Sequence, residues 1–234
     1  DLLLSIFPLC HIKHSELSPE HHVHKGRVVL GGNNVRDEHG VQAVFQEQGT
    51  SASHMVCAKF LDAIARIPGN AGEDSDAQKA YTQALLADFE ENTETWIELP
   101  SDQWPKEWFG KYKRPVVRLL RNLYGHPLAG LYWEKHFDKA IRQCGFKPIQ
   151  GWECLYQHND KKLFLSVYVD DLKMAGPAKE LEPMWKELGK LINLDPPTSF
   201  HKSVYLGCCQ YEYEVSADEI RKQTDYFNQT FGDG

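Results

Sequence analysis

An apolar run that breaks into two adjacent aspartates constrains this chain more than any other feature. Leu163-Phe164-Leu165-Ser166-Val167-Tyr168-Val169 leads into Asp170-Asp171, and the sequence turns apolar again through Leu172, Met174 and Ala175. A run with so little polar alternation suits a strand covered on both faces. Two carboxylates at its end carry a heavy desolvation cost unless a cation neutralises them. Oxygen ligands of this kind suit a divalent ion such as Mg²⁺.

The remaining sequence narrows the class. The 234 residues are enough for a sizeable core, as one large domain or two small ones. Hydrophobic residues at 41% and charged residues at 25% are those of an ordinary globular protein. A net charge of −7 argues against wholesale coating of nucleic acid but leaves room for a local basic track. Six cysteines without a Cys-x-x-Cys pair favour a reducing compartment over a disulfide framework. No apolar run reaches membrane-spanning length. The opening Asp1-Leu2-Leu3-Leu4 lacks a basic start and makes a poor signal peptide, and without an initial Met the chain reads as a fragment of something longer.

Strands and helices alternate along the chain. Arg27 to Leu30 reads as a strand closed by the turn Gly31-Gly32-Asn33-Asn34. Helical spacing runs from Val56 to Ile67, with Ser51 or Ser53 as the expected cap and Pro68-Gly69 as the stop. Further helices are expected over Leu131 to Gln143, Leu181 to Ile192 and Ala217 to Phe231, and a half-exposed strand over Tyr211 to Val215. The polar, Trp-rich stretch from Asp88 to Gly110 reads as a loop around one strand, Thr95 to Leu99.

A second acidic element gives the double aspartate a context. Asp76-Ala77-Gln78-Lys79-Ala80-Tyr81 sets a carboxylate five residues before an aromatic, with a small residue between. Asp-x-x-x-Ala-(Tyr/Phe) followed by Tyr-Val-Asp-Asp resembles the first and third catalytic motifs of reverse transcriptases. Lys25-Gly26-Arg27-Val28-Val29, Trp96-Ile97-Glu98-Leu99-Pro100, Leu123-Tyr124-Gly125 and Tyr205-Leu206-Gly207 fall in the order expected of a Ty1/copia-type retrotransposon polymerase. The resemblance runs from about Lys25 to Phe231. It departs at the second motif, where His126-Pro127-Leu128-Ala129-Gly130 replaces the usual Leu-Lys-Gln-(Ser/Ala)-Pro-Arg, and between Gly40 and Ser53.

The resemblance implies an α+β fold of the right-hand polymerase type. Fingers would come from about residues 1–75 and 86–122, with an antiparallel palm sheet and a partial thumb. Residues 1–24 would be an N-terminal extension and 25–234 the reverse transcriptase domain. Asp76, Asp170 and Asp171 would be catalytic and would hold two Mg²⁺ ions, or Mn²⁺ in their place, with Asp171 the most peripheral. Tyr81 would exclude a 2′-hydroxyl, Tyr168 would lie against the primer end, Lys25 and Arg27 would hold the triphosphate, and Gly125 would shape the turn beside the nucleotide. The implied reaction is RNA-directed DNA synthesis by nucleotidyl transfer. The partners would be an RNA or DNA template with its primer, deoxynucleotide triphosphates, and the integrase and RNase H segments of an intact polyprotein, with no membrane. Its compartment would be cytoplasmic element particles, with nuclear passage as the alternative.

Other residues carry their own expectations. Lys111, Lys113, Arg114, Arg118 and Arg121, interleaved with Trp104, Trp108, Phe109 and Tyr112, suit a template-primer track. The same run equally suits a solvated face. Adjacent aspartates in isolation usually mark an exposed turn. Cys10, His11, His14, His21, His22 and His24 are zinc-type ligands, but their spacing matches no zinc module. The alternative to an enzyme is a decayed or repurposed element fragment that binds nucleic acid without catalysis, favoured by the altered second motif.

Overall fold

The computed structural model describes residues 1–32, 35–37, 39–41, 52–89, 94–211 and 214–232. The first elements along the chain are β1 (Leu2–Lys13), β2 (Val23–Leu30), β3 (Arg36–Asp37), α1 (Met55–Ala65), β4 (Asn70–Asp76), the single-turn α2 (Ala80–Gln83), β5 (Thr95–Glu98) and β6 (Val116–Arg118). Then come α3 (Ala129–Gln143), β7 (Lys147–Pro148), β8 (Leu155–His158), β9 (Leu163–Tyr168), β10 (Asp171–Pro177) and α4 (Ala178–Leu188). Short strands β11 (Thr198–Ser199), β12 (Val204–Tyr205) and β13 (Cys208–Cys209) precede α5 (Ala217–Phe231).

The apolar run forms β9 at the heart of an antiparallel sheet of order β11-β4-β10-β9-β8-β7. Leu163, Leu165 and Val167 of β9, with Leu172 and Met174 of β10, bury against Trp133, Phe137 and Ile141 of α3 and Leu181, Met184 and Leu188 of α4. On the other face Ala175 and Phe164 meet Cys57 and Leu61 of α1, together with Phe200. Both faces are covered, which is why the run lacks polar alternation. A slip of one residue would exchange the two faces and set each side chain against a core shaped for another, so the packing specifies one register. This packing fixes where the β9–β10 turn lies.

A second sheet of order β2-β1-β5-β6 carries β3 beside β1. Strand β1 is antiparallel to β2 and parallel to β5. The residues expected to be an extension therefore sit inside this sheet, where Leu2 and Leu4 share a core with Leu30, Val35 and Ile97. The expected boundary at residue 25 falls within β2. From the Ile6–Leu30 pair outward, β1 and β2 continue as a ribbon to Lys13–Val23, with Phe7, Leu9 and Val28 exposed.

The helices follow their sequence signals, with one correction. The N-cap of α1 is His54, without a side-chain bond. Ser53 is occupied elsewhere: its hydroxyl meets that of Ser166 at 2.7 Å and its N–H donates to the Val167 carbonyl. The other cap candidate, Ser51, lies outside the described residues, as do Asn33 and Asn34 of the expected turn and Glu212 and Tyr213 of the expected strand. Helix α3 stops at Cys144, followed by Gly145 at φ +89°. Helix α5 begins with a capping box between Ser216 and Glu219, and none of its residues is buried. All six cysteines are free, and Cys208 and Cys209 both face solvent. No helix is long and apolar enough to cross a membrane among the described residues.

Candidate active site

The acids meet at the end of the six-stranded sheet. Val169 and Asp170 form a two-residue turn, because Tyr168 of β9 pairs with Asp171 of β10. Strand β10 also pairs with β4, in a register that sets Asp171 directly opposite Asp76. Directly opposed residues share a face at Cβ separations of about 4.5–5.5 Å. The backbone seals the join: the Ala77 N–H donates to the Asp170 carbonyl at 2.7 Å, and the Asp195 N–H to the Asp76 carbonyl at 2.8 Å. Two register steps below, and so on the same face, Lys173 opposes Asp74.

The turn is strained and braced. Val169 adopts φ +57°, where a β-branched residue costs about 1–3 kcal/mol. The indole Nε1–H of the fully buried Trp133 donates to the Val169 carbonyl at 2.5 Å. This bond from α3 holds the acid-bearing tip in place.

Asp171 is crowded by the neighbouring acids. It is half-buried, whereas Asp76 and Asp170 are exposed. Burial, a hydrogen bond with Asp76, and the charges of Asp76, Asp170 and Asp74 push its carboxyl up to about 7. Of the two hairpin acids Asp171 is the more buried: the two-residue turn leaves Asp170 at the tip and sets Asp171 opposite Asp76 on β4. Burial also raises Asp74, against the Ser203 hydroxyl and Lys173, which pull it down. Lys173 is itself buried, paired to Asp62 at 2.6 Å and lying over the rings of Phe200 and Tyr205.

Among the described residues no group of three or more His, Cys, Asp or Glu side chains is arranged to hold a metal ion, and that includes the N-terminal histidines. The donor chemistry of the acid pair nonetheless fits a hard divalent cation. Asp76 and Asp171 offer only oxygens, and two like charges in contact are relieved by a cation between them.

Beside the acids stand three groups from three segments. The Tyr81 ring on α2 meets the Tyr124 ring edge-on, with centroids 4.6 Å apart at 60°. The guanidinium of Arg27 on β2 lies over Tyr124, 5.5 Å from its centroid. Burial raises both tyrosine hydroxyls, and the Asp170 charge raises both further. Gly125 acts through its backbone. At φ +85° an added Cβ would lie 2.1 Å from the Leu30 carbonyl oxygen, so the loop can pass the end of β2 only with glycine there.

The other expected site residues are less concentrated. Tyr168 is exposed beside the tip and bridges to Ala52. Lys25 lies further out on the exposed ribbon, opposite His11. In the basic run Arg114 forks onto Glu98 at 2.8 and 2.6 Å, Arg118 pairs with Glu94 at 2.9 Å, and Arg121 donates to the Thr82 carbonyl at 3.0 Å. Lys111 lies over Tyr112, and Trp104 bonds the Leu99 carbonyl. The three arginines are thus occupied within the chain, while Lys111 and Lys113 remain exposed. Tyr124 and Trp133 escaped the sequence reading. Tyr124 stood within a quoted motif, but no local signal set Trp133 apart from other helix-core aromatics.

No protein-family model matches the chain. Over 82 residues, 34% of its length, it is 32% identical to a putative transposon Ty5-1 protein of Saccharomyces cerevisiae, of which the match covers 27%. It is 29% identical over 58 residues to the Transposon Ty1-MR1 Gag-Pol polyprotein of the same yeast, and 27% identical over 77 residues to that of Ty1-GR3. These matches cover 3% and 4% of the two polyproteins, so the chain corresponds to a small part of its curated relatives. The similarities support a retrotransposon origin for this chain.

Proposed function

We propose that this chain is the reverse transcriptase domain of a retrotransposon Pol polyprotein, an RNA-directed DNA polymerase of the fingers-and-palm type. One observation carries the reading: Asp76 and Asp171, remote in sequence, are register partners at a sheet end whose turn bears Asp170. A surface turn with two aspartates needs no such partner. The partial similarity to Ty1 Gag-Pol polyproteins supports the same reading.

Each residue then has a task. Asp76, Asp170 and Asp171 would hold two Mg²⁺ ions, which when bound supply Lewis acidity at the primer 3′-hydroxyl and at the phosphates. Trp133 and the β4–β10 backbone bonds keep the three carboxyls from drifting apart. Tyr81 lies beneath the sugar of the incoming nucleotide and excludes a 2′-hydroxyl, the group that separates RNA from DNA. Arg27, fixed over Tyr124, is placed to meet the triphosphate, since guanidinium matches phosphate oxygens well. Tyr168 borders the primer end. Lys111 and Lys113 are the cations best placed to follow the template-primer backbone.

The test is primer extension on poly(rA)/oligo(dT) with Mg²⁺. Wild type should extend, and Asp171→Asn and Asp76→Asn should not. Equal signals from all three would sink the enzyme and favour a fragment that binds nucleic acid without catalysis. The absent Lys-Gln element of the second motif is the observation on that side.

A further inference from the structure

The loop that carries the altered second motif is held by buried side chains and close backbone contacts. The Asn122 side chain is fully buried and donates to the Ala129 carbonyl at 2.9 Å. The Leu30 N–H donates to the Tyr124 carbonyl at 2.8 Å. Gly32 and Gly125 pass so closely that a Cβ on Gly32 would stand 2.0 Å from the Gly125 oxygen. His126 is buried, bonded to Thr95 and to the Leu128 N–H. Tyr124 therefore projects from a backbone fixed on both sides.

Tyr81 is mounted very differently. It sits on the four-residue α2, which follows Lys79 in a left-handed conformation at φ +50°. A single turn has little helical stability of its own. The Tyr81 ring is half-buried, packed against the main core on one side and open on another. The Tyr124 edge closes against that open side, and Arg27 covers Tyr124 from the β2 side.

We propose that Tyr124 is a positioning residue for sugar selection: clamped beneath Arg27, its ring fixes the angle of Tyr81, so that discrimination against a 2′-hydroxyl belongs to the pair. This rests on the polymerase reading given above. It assigns a task to the second-motif loop that needs no lysine or glutamine side chain, because the contact is ring to ring. It also ties selectivity to the β1–β2 sheet through Arg27 and Leu30.

The experiment compares kcat/KM for dTTP and UTP in single-nucleotide extension of oligo(dT) on poly(rA). Tyr124→Leu removes the edge contact and should lower the dTTP:UTP ratio roughly two- to tenfold, the worth of one aromatic pair. Tyr124→Phe keeps the ring and should stay near wild type. Tyr81→Val should lower the ratio further, and adding Tyr124→Leu to it should change nothing more. A Tyr124→Leu ratio equal to wild type, or independent additive losses in the double variant, overturns the proposal. A merely structural role would lower both rates together and leave the ratio intact. If Tyr124→Leu loses its circular-dichroism signal, Tyr124→Met carries the same expectation. A wild-type chain that fails to extend with dTTP overturns the polymerase reading and this one with it; extension with unchanged selectivity in the variants overturns this one alone.

Discussion

Protonating His126 should loosen the loop that carries Tyr124, with a size the structure sets. The side chain is 4% exposed. Its Nδ1 accepts the Leu128 N–H at 3.1 Å, so the neutral ring carries its proton on Nε2, 3.2 Å from the Thr95 hydroxyl. A proton on Nδ1 would face a donor. Burial lowers the His126 pKa from 6.5 to about 4. Between those values the unfolded chain binds the proton and the native chain does not, so stability falls as pH falls. The contribution is intact above about pH 6.5 and fully lost near pH 4. At about 1.4 kcal/mol per pH unit, lowering pH from 7 to 5 should remove about 2 kcal/mol. The assay is urea unfolding followed by tryptophan fluorescence at both pH values, for wild type and His126→Asn. Asparagine can offer an oxygen to the Leu128 N–H but does not titrate. Subtracting the variant's pH dependence cancels the other groups. The reasoning fails if wild type and His126→Asn lose the same stability over that interval.

Three further outcomes follow from described contacts. Trp133→Phe removes the donor to Val169 and leaves a void in the core, and should lower unfolding free energy by about 2–4 kcal/mol in urea. Lys173→Met should destabilise by about 1–3 kcal/mol, because Asp62 loses its 2.6 Å partner while keeping some solvent; Asp62→Asn in the same chain should recover part of that loss. Arg114→Ala should change the urea midpoint little, by about 0.5 kcal/mol or less, since its fork onto Glu98 is solvent-screened, yet it frees Glu98 to weaken rather than strengthen binding of an oligonucleotide in a filter assay.

The half of the chain built on the six-stranded sheet was legible in the sequence because its signals were local or repeated. An apolar run without alternation requires cover on both faces, and β9 has it. Helices α3, α4 and α5 follow their apolar spacing to within a few residues. The link between Asp76 and the double aspartate comes from two motifs at a distance, and the register sets Asp171 opposite Asp76. What escaped was set by the third dimension. Strand β1 takes its place from a parallel neighbour some ninety residues later, and nothing within residues 2–13 announces that partner. The relative burial of Asp170 and Asp171 depends on a turn length, not on residue type. Arginines counted as a free basic track are occupied by Glu94, Glu98 and a carbonyl, contacts that composition does not reveal. Ser53 looked like a cap, but a buried hydroxyl across the sheet was the better partner.

The placement of β1 between β2 and β5 bears on how this polypeptide can be shortened. A version starting at Lys25 would strip the middle ribbon from its sheet and leave two raw, unpaired borders, one of them beside the arginine that leans on Tyr124. Open borders of that sort recruit other chains. The smallest unit that expresses cleanly should therefore begin at or before Leu2, even though the paired acids lie far downstream.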